Sequence, residues 1–135
     1  MVASAPITSY LDTLALAIAA GAAWWSKELR ERDARGSFAP ALTEEQLDAF
    51  ERQLCLGMAK LLLENISEGI SWRHWVVRTD KHPDKVLSAA ATGATIGSHC
   101  FPFHTRMWLK TTADAVHVHV RQMSKDVVQI WPQVA

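Results

Sequence analysis

The chain contains two cysteines in 135 residues, Cys55 and Cys100, far apart in the sequence. So few thiols cannot staple a fold, and they are expected to be reduced, as in the cytosol; a single disulfide is the alternative. No uninterrupted apolar run reaches the ~20 residues that a bilayer-spanning helix needs. The longest candidate, Leu14 to Trp25, is flanked by Asp12 before it and by Lys27 and Glu28 after it. No side-chain cation precedes it, so a secretory signal is not expected either. Basic runs are absent as well. The 14 cationic residues balance the 14 acidic ones, which argues against direct nucleic-acid binding. Phosphate-binding loops, dinucleotide glycine patterns and recognisably spaced carboxylate pairs do not occur. Neither does an internal repeat, a low-complexity tract or a linker long enough to divide domains. Residues 1–135 therefore read as one domain, and catalysis is not expected.

What is present is apolar bulk, at 49% of the residues, and six tryptophans: Trp24, Trp25, Trp72, Trp75, Trp108 and Trp131. Some of these should pack a core. Others are candidate anchors for a protein partner, since tryptophan is enriched where interfaces bind tightly. Charge is mildly uneven, with 6 basic and 9 acidic residues up to position 67 and 8 and 5 after it.

Leu11, Leu14, Ile18, Ala22 and Trp25 recur at helical spacing behind Ser9, an expected N-cap, and Gly36 is expected to end that helix. Thr43 and Gln46 stand at capping-box spacing, with Glu44 and Glu45 in the first turn. A second stripe follows at Leu47, Phe50, Leu54, Met58 and Leu61, predicting a helix to about Glu64 and an antiparallel helical hairpin.

Trp72 to Val77 is aromatic and β-branched, a strand with bulk on both faces and hence an expected central position. Thr79 or Asp80 can cap the next helix, with Pro83 in its first turn and Gly93 at its end. A short helix is expected over Thr95 to Phe101. Met107 to Lys110, Ala115 to Arg121 and Val127 to Trp131 then read as three antiparallel strands. The fold class expected is α+β: an N-terminal helical hairpin on a small, mostly antiparallel sheet, in the order α-α-β-α-α-β-β-β.

Candidate chemistry is sparse. His117 and His119 lie two apart on a strand, so both side chains point one way and could share a metal. A metal-dependent enzyme built on them is one alternative reading; the plainer one has the valines filling the core and the histidines on the wet face. No metal and no cofactor are therefore expected. Cys100 beside His99 or His104 lacks an orienting partner for nucleophilic work, and Ser71 with His74 is a chance pairing.

The order of elements resembles the BTG/Tob anti-proliferative domain, and the likeness reaches single residues. Gly69, Trp72, Arg73, Val77, Pro83 and Gly93 follow the sequence of marks in that family's first box. Trp108, then Val116, Val118 and Val120, are similar to its second box, although Trp108-Leu109-Lys110-Thr111 stands where the family has Trp-x-Asp-Pro. Leu42 to Leu54 resembles its second helix, and the likeness extends over about residues 10 to 131. The resemblance implies a cytoplasmic, non-enzymatic adaptor that docks on the catalytic subunit of an mRNA deadenylase. The contacts it implies fall at Trp72 and Trp108, with Trp75 and Arg73 beside them. A second alternative keeps the fold and makes the chain a structural subunit of a larger assembly.

Overall fold

The computed structural model describes residues 6–34, 42–67, 73–80, 82–97, 100–102, 104–111, 116–123 and 125–132; for 6–11, 32–34, 66–67, 73–75 and 111 it describes the backbone alone. Three helices, α1 (Pro6–Ala34), α2 (Glu44–Ser67) and α3 (Lys85–Gly93), accompany four strands. These are β1 (Arg73–Thr79), β2 (Thr105–Thr111), β3 (Val116–Gln122) and β4 (Val128–Trp131). The strands form one antiparallel sheet in the order β1-β2-β3-β4. The fold is α+β, as the sequence predicts.

Both expected stripes are buried from Leu14 to Trp25 and from Leu47 to Met58, with Leu61 half-buried and the side chain of Leu11 outside the described ones. Leu14, Ile18, Ala22 and Trp25 of α1 face Leu47, Phe50, Leu54 and Met58 of α2 inside one core. α1 also packs over β3 and β4, and α2 over α3 and β1. Trp25, Phe101 and Phe50 form a chain of tilted rings at 6.2 and 5.7 Å, each ring fully buried. Burial of such side chains stabilises the fold by about 1.5–3 kcal/mol apiece. The Trp25 indole N–H finds no acceptor among the described residues, which offsets part of that gain.

Helix ends show where local chemistry decides. The Gln46 amide donates to Thr43 Oγ1 at 3.0 Å and the Thr43 amide to Gln46 Oε1 at 2.9 Å, closing the predicted capping box. α2 runs to Ser67, three residues past the expected end. α1 begins at Pro6 rather than after Ser9, because proline is already pre-set for a first helical turn; Gly36 lies outside the described residues. The cap of α3 is Asp84, not Thr79 or Asp80, and Pro83 precedes the helix. The alternative caps are engaged elsewhere. Thr79 ends β1 opposite Thr105, accepts the Thr105 amide at 3.1 Å and donates to Pro102 O at 2.6 Å.

One further expectation is corrected. β1 lies at the sheet edge, not its centre. Of its described apolar side chains, Val77 is buried on one face and Val76 is half-buried on the other. Within the span of the short helix expected over Thr95 to Phe101, Cys100 has 3-10 helical conformation. Gly97 O accepts the Cys100 amide at 3.1 Å in a single tight turn, and residues 98 and 99 lie outside the described ones.

Candidate functional site: the open face of the sheet

Strand alternation sorts the sheet into a sealed face and an open one. Val77, Met107, Leu109, Val116, Val118 and Val120 are buried beneath the helices. The opposite set, Val76, Arg78, Arg106, Trp108, Lys110, His117, His119 and Arg121, is half-buried or exposed. No described helix covers that side of β2 and β3.

Register brings these residues into rows. Val76 pairs with Trp108, Trp108 with His119, and His119 with Gln129. Trp108 and His119 stack at 5.7 Å and 22°, and His119 and His117 at 5.9 Å and 26°. Gln129 donates through Nε2 to Pro132 O at 2.9 Å, which leaves its Oε1 as the acceptor 3.0 Å from His117 Nδ1 and puts the imidazole proton there. His119 is different. Its Nδ1 is buried without a partner, and desolvation, then the charges of His117 and Lys110, hold its pKa below the ordinary histidine range. It is therefore an uncharged ring at neutral pH.

The next row is cationic. Arg78 pairs with Arg106, and Arg106 with Arg121. They flank a 290 Å³ pocket whose lining also includes Trp108, Asp80 and His104. His104 and Met123, at its rim, hold positive φ angles of 48° and 53°, and the Met123 amide donates to His104 O at 2.7 Å.

An apolar groove of 530 Å³ runs between α2 and α3 and opens at the β1 edge. Leu56, Leu61, Val86 and Val76 line it, and Leu56 is 67% exposed. Val76, one of the lining residues, sits across from Trp108 in the sheet.

Of the residues singled out by sequence, Trp108 is half-exposed on the open face. Arg73 lies in β1 at the register position across from Lys110, and Trp75 lies in the same strand; Trp72 is outside the described residues. Trp25 is core, and Trp24 and Trp131 pack partly buried against it. His117 and His119 do share a face, but stacked against each other. Among the described residues no group of three His, Cys, Asp or Glu side chains could hold a metal ion. Neither cysteine is in a disulfide. Cys55 is desolvated and near Glu51, which raises its thiol pKa and leaves it protonated and unreactive. No described helix is long and apolar enough to cross a membrane.

Sequence reasoning missed the arginine row. The only signal for it was strand register, since its members are scattered along the chain. No protein-family model matches the sequence, and no curated protein matches it either.

Proposed function

We propose that this chain is a non-enzymatic, BTG/Tob-like adaptor of the cytoplasm. It docks on a protein partner, the catalytic subunit of an mRNA deadenylase, through the aromatic surface around Trp108 and Trp72. The observation that carries this reading is the half-exposed Trp108 with Val76 across from it, Val76 also lining the groove of Leu56 and Val86. A half-exposed indole beside an apolar trough is the kind of anchor on which binding energy concentrates. The element order, a helical hairpin followed by a sheet with one bare face, supports the same reading.

The test is capture of a purified deadenylase catalytic subunit by the full chain and by Trp108→Ala and Trp72→Ala. A hot-spot residue is worth ~2 kcal/mol or more, so each change should weaken capture by roughly 30-fold. Thermal unfolding run alongside must show that the variants stay folded. Equal capture by folded variants would remove the proposal.

A further inference from the structure

We infer that the open face of the sheet binds single-stranded nucleic acid, with phosphates on the row Arg78, Arg106 and Arg121 and a base stacked on Trp108. This inference stands on observations other than those behind the adaptor reading, although Trp108 belongs to both.

The first observation is the register. Arg78, Arg106 and Arg121 occupy directly paired positions on three adjacent strands, where like charges repel one another and cost stability. Among the described residues Arg106 makes no ion pair. Arg121 uses its Nε on the Lys125 carbonyl at 3.1 Å. Such a row invites an anion, because a bound phosphate replaces repulsion with charge-assisted hydrogen bonds.

Charge segregation is the second. The four strands carry five cationic residues and no carboxylate, whereas α1 and α2 carry nine carboxylates and five cations. A chain with no net charge thus turns a cationic face outward from the sheet.

The third chooses among anionic partners. An acidic peptide would satisfy the arginines and leave the rings unused. Trp108, His119 and His117 already form a stacked series, and Trp108 also lines the arginine pocket. A polynucleotide supplies both a charge and a flat ring at each residue, and stacking on aromatic side chains is how single strands are held without reading their sequence. The pocket, at 290 Å³, suits one nucleotide unit rather than a folded chain. Asp80, the one carboxylate in its lining, repels phosphate at that end. It is an acceptor for the amino group of a base. A double helix would present only its backbone to so shallow a face, so unpaired strands should be favoured.

The experiment is fluorescence anisotropy of the full chain with labelled oligouridylate and its DNA counterpart, each about twelve nucleotides long. Binding should weaken with salt with a log–log slope of about −2 for three phosphate contacts, roughly 20-fold between about 50 and 200 mM. Arg78→Gln/Arg106→Gln/Arg121→Gln should abolish measurable binding and Arg106→Gln should weaken it, with unfolding temperatures unchanged or raised. Trp108→Phe should keep most of the affinity, and Trp108→Leu should lose roughly 10-fold. The tighter of the two probes assigns the strand type. Unaltered binding by the triple variant would overturn the inference. So would polyglutamate, inorganic polyphosphate or a duplex competing as well as the single strand. Deadenylase capture by the triple variant separates the two readings: retained capture with lost oligonucleotide binding leaves the adaptor proposal untouched.

Discussion

The Asp84 carboxylate accepts the Leu87 amide at 3.0 Å and the Arg78 amide at 2.8 Å, so one side chain both caps α3 and closes the outer edge of β1. Burial raises its pKa above the ordinary range, against the lowering effect of those amides and of the Arg78 charge. An acid with a raised folded-state pKa binds its proton more tightly in the native state than in the unfolded chain. Its contribution is then present below the unfolded value of about 3.9 and is lost as pH climbs through the raised value. Asp84→Asn removes that titration. We expect the stability of the wild type relative to Asp84→Asn to fall as pH rises from about 3 to about 6, measured by urea unfolding at each pH; a flat difference contradicts it. Asp84→Ala, which deletes the cap, should cost about 1–2 kcal/mol throughout. Legibility at this scale was uneven. Thr43 and Gln46 could be read directly because a capping box uses only local spacing. Between Thr79 and Asp84 the sequence offers three capping residues, and pairing of Thr79 with Thr105 leaves Asp84 the task.

Among the elements, the seam between α2 and α3 is set by one small residue. A Cβ on Gly57 would lie 3.0 Å from Val86 Cγ1, and a β-branched side chain has little rotamer freedom with which to retreat. Gly57→Ala brings about 1 kcal/mol of helix propensity against about 1–3 kcal/mol of overpacking. The expected net is a loss of roughly 1 kcal/mol. In a Val86→Ala background the same change should be neutral or stabilising, with a coupling of at least about 0.5 kcal/mol in a double-mutant cycle. Additive effects would place the helices farther apart than the structure has them. The helical stripes were legible because burial selects a 3.6-residue period that no other element imitates. The edge position of β1 was not. Bulk on both faces of Trp72 to Val77 fits a central strand equally well, and only the partner on each side distinguishes the two.

Taken whole, a chain of zero net charge separates its charge between an acid-rich helical layer and a cationic sheet face. The helical layer ties itself in part through Arg30 and Glu44, 2.7 Å apart between α1 and α2; at such exposure the pair contributes little. In the arginine row Arg78 is offset in part by the Asp84 charge, whereas Arg106 has no ion pair among the described residues. Added salt should therefore stabilise the wild type by screening. We expect its unfolding temperature to rise by about 2–5 °C between roughly 20 mM and 0.5 M NaCl. The arginine-to-glutamine triple variant should show a weaker response. Equal responses would mean that the row is not repulsive.

The sequence alone determined the fold class, the two long helices with their buried stripes, the three C-terminal strands and the half-exposed valine-histidine alternation, because each rests on a short-range period set by backbone geometry. It also indicated no nucleic-acid surface, since cations counted along the chain form no run. What tertiary structure decided is which residues meet on the open face. Arg78, Arg106 and Arg121 become neighbours only through strand register, as do Val76, Trp108 and His119, and register is fixed by which side chains the core accepts rather than by the local identity of the residues left outside.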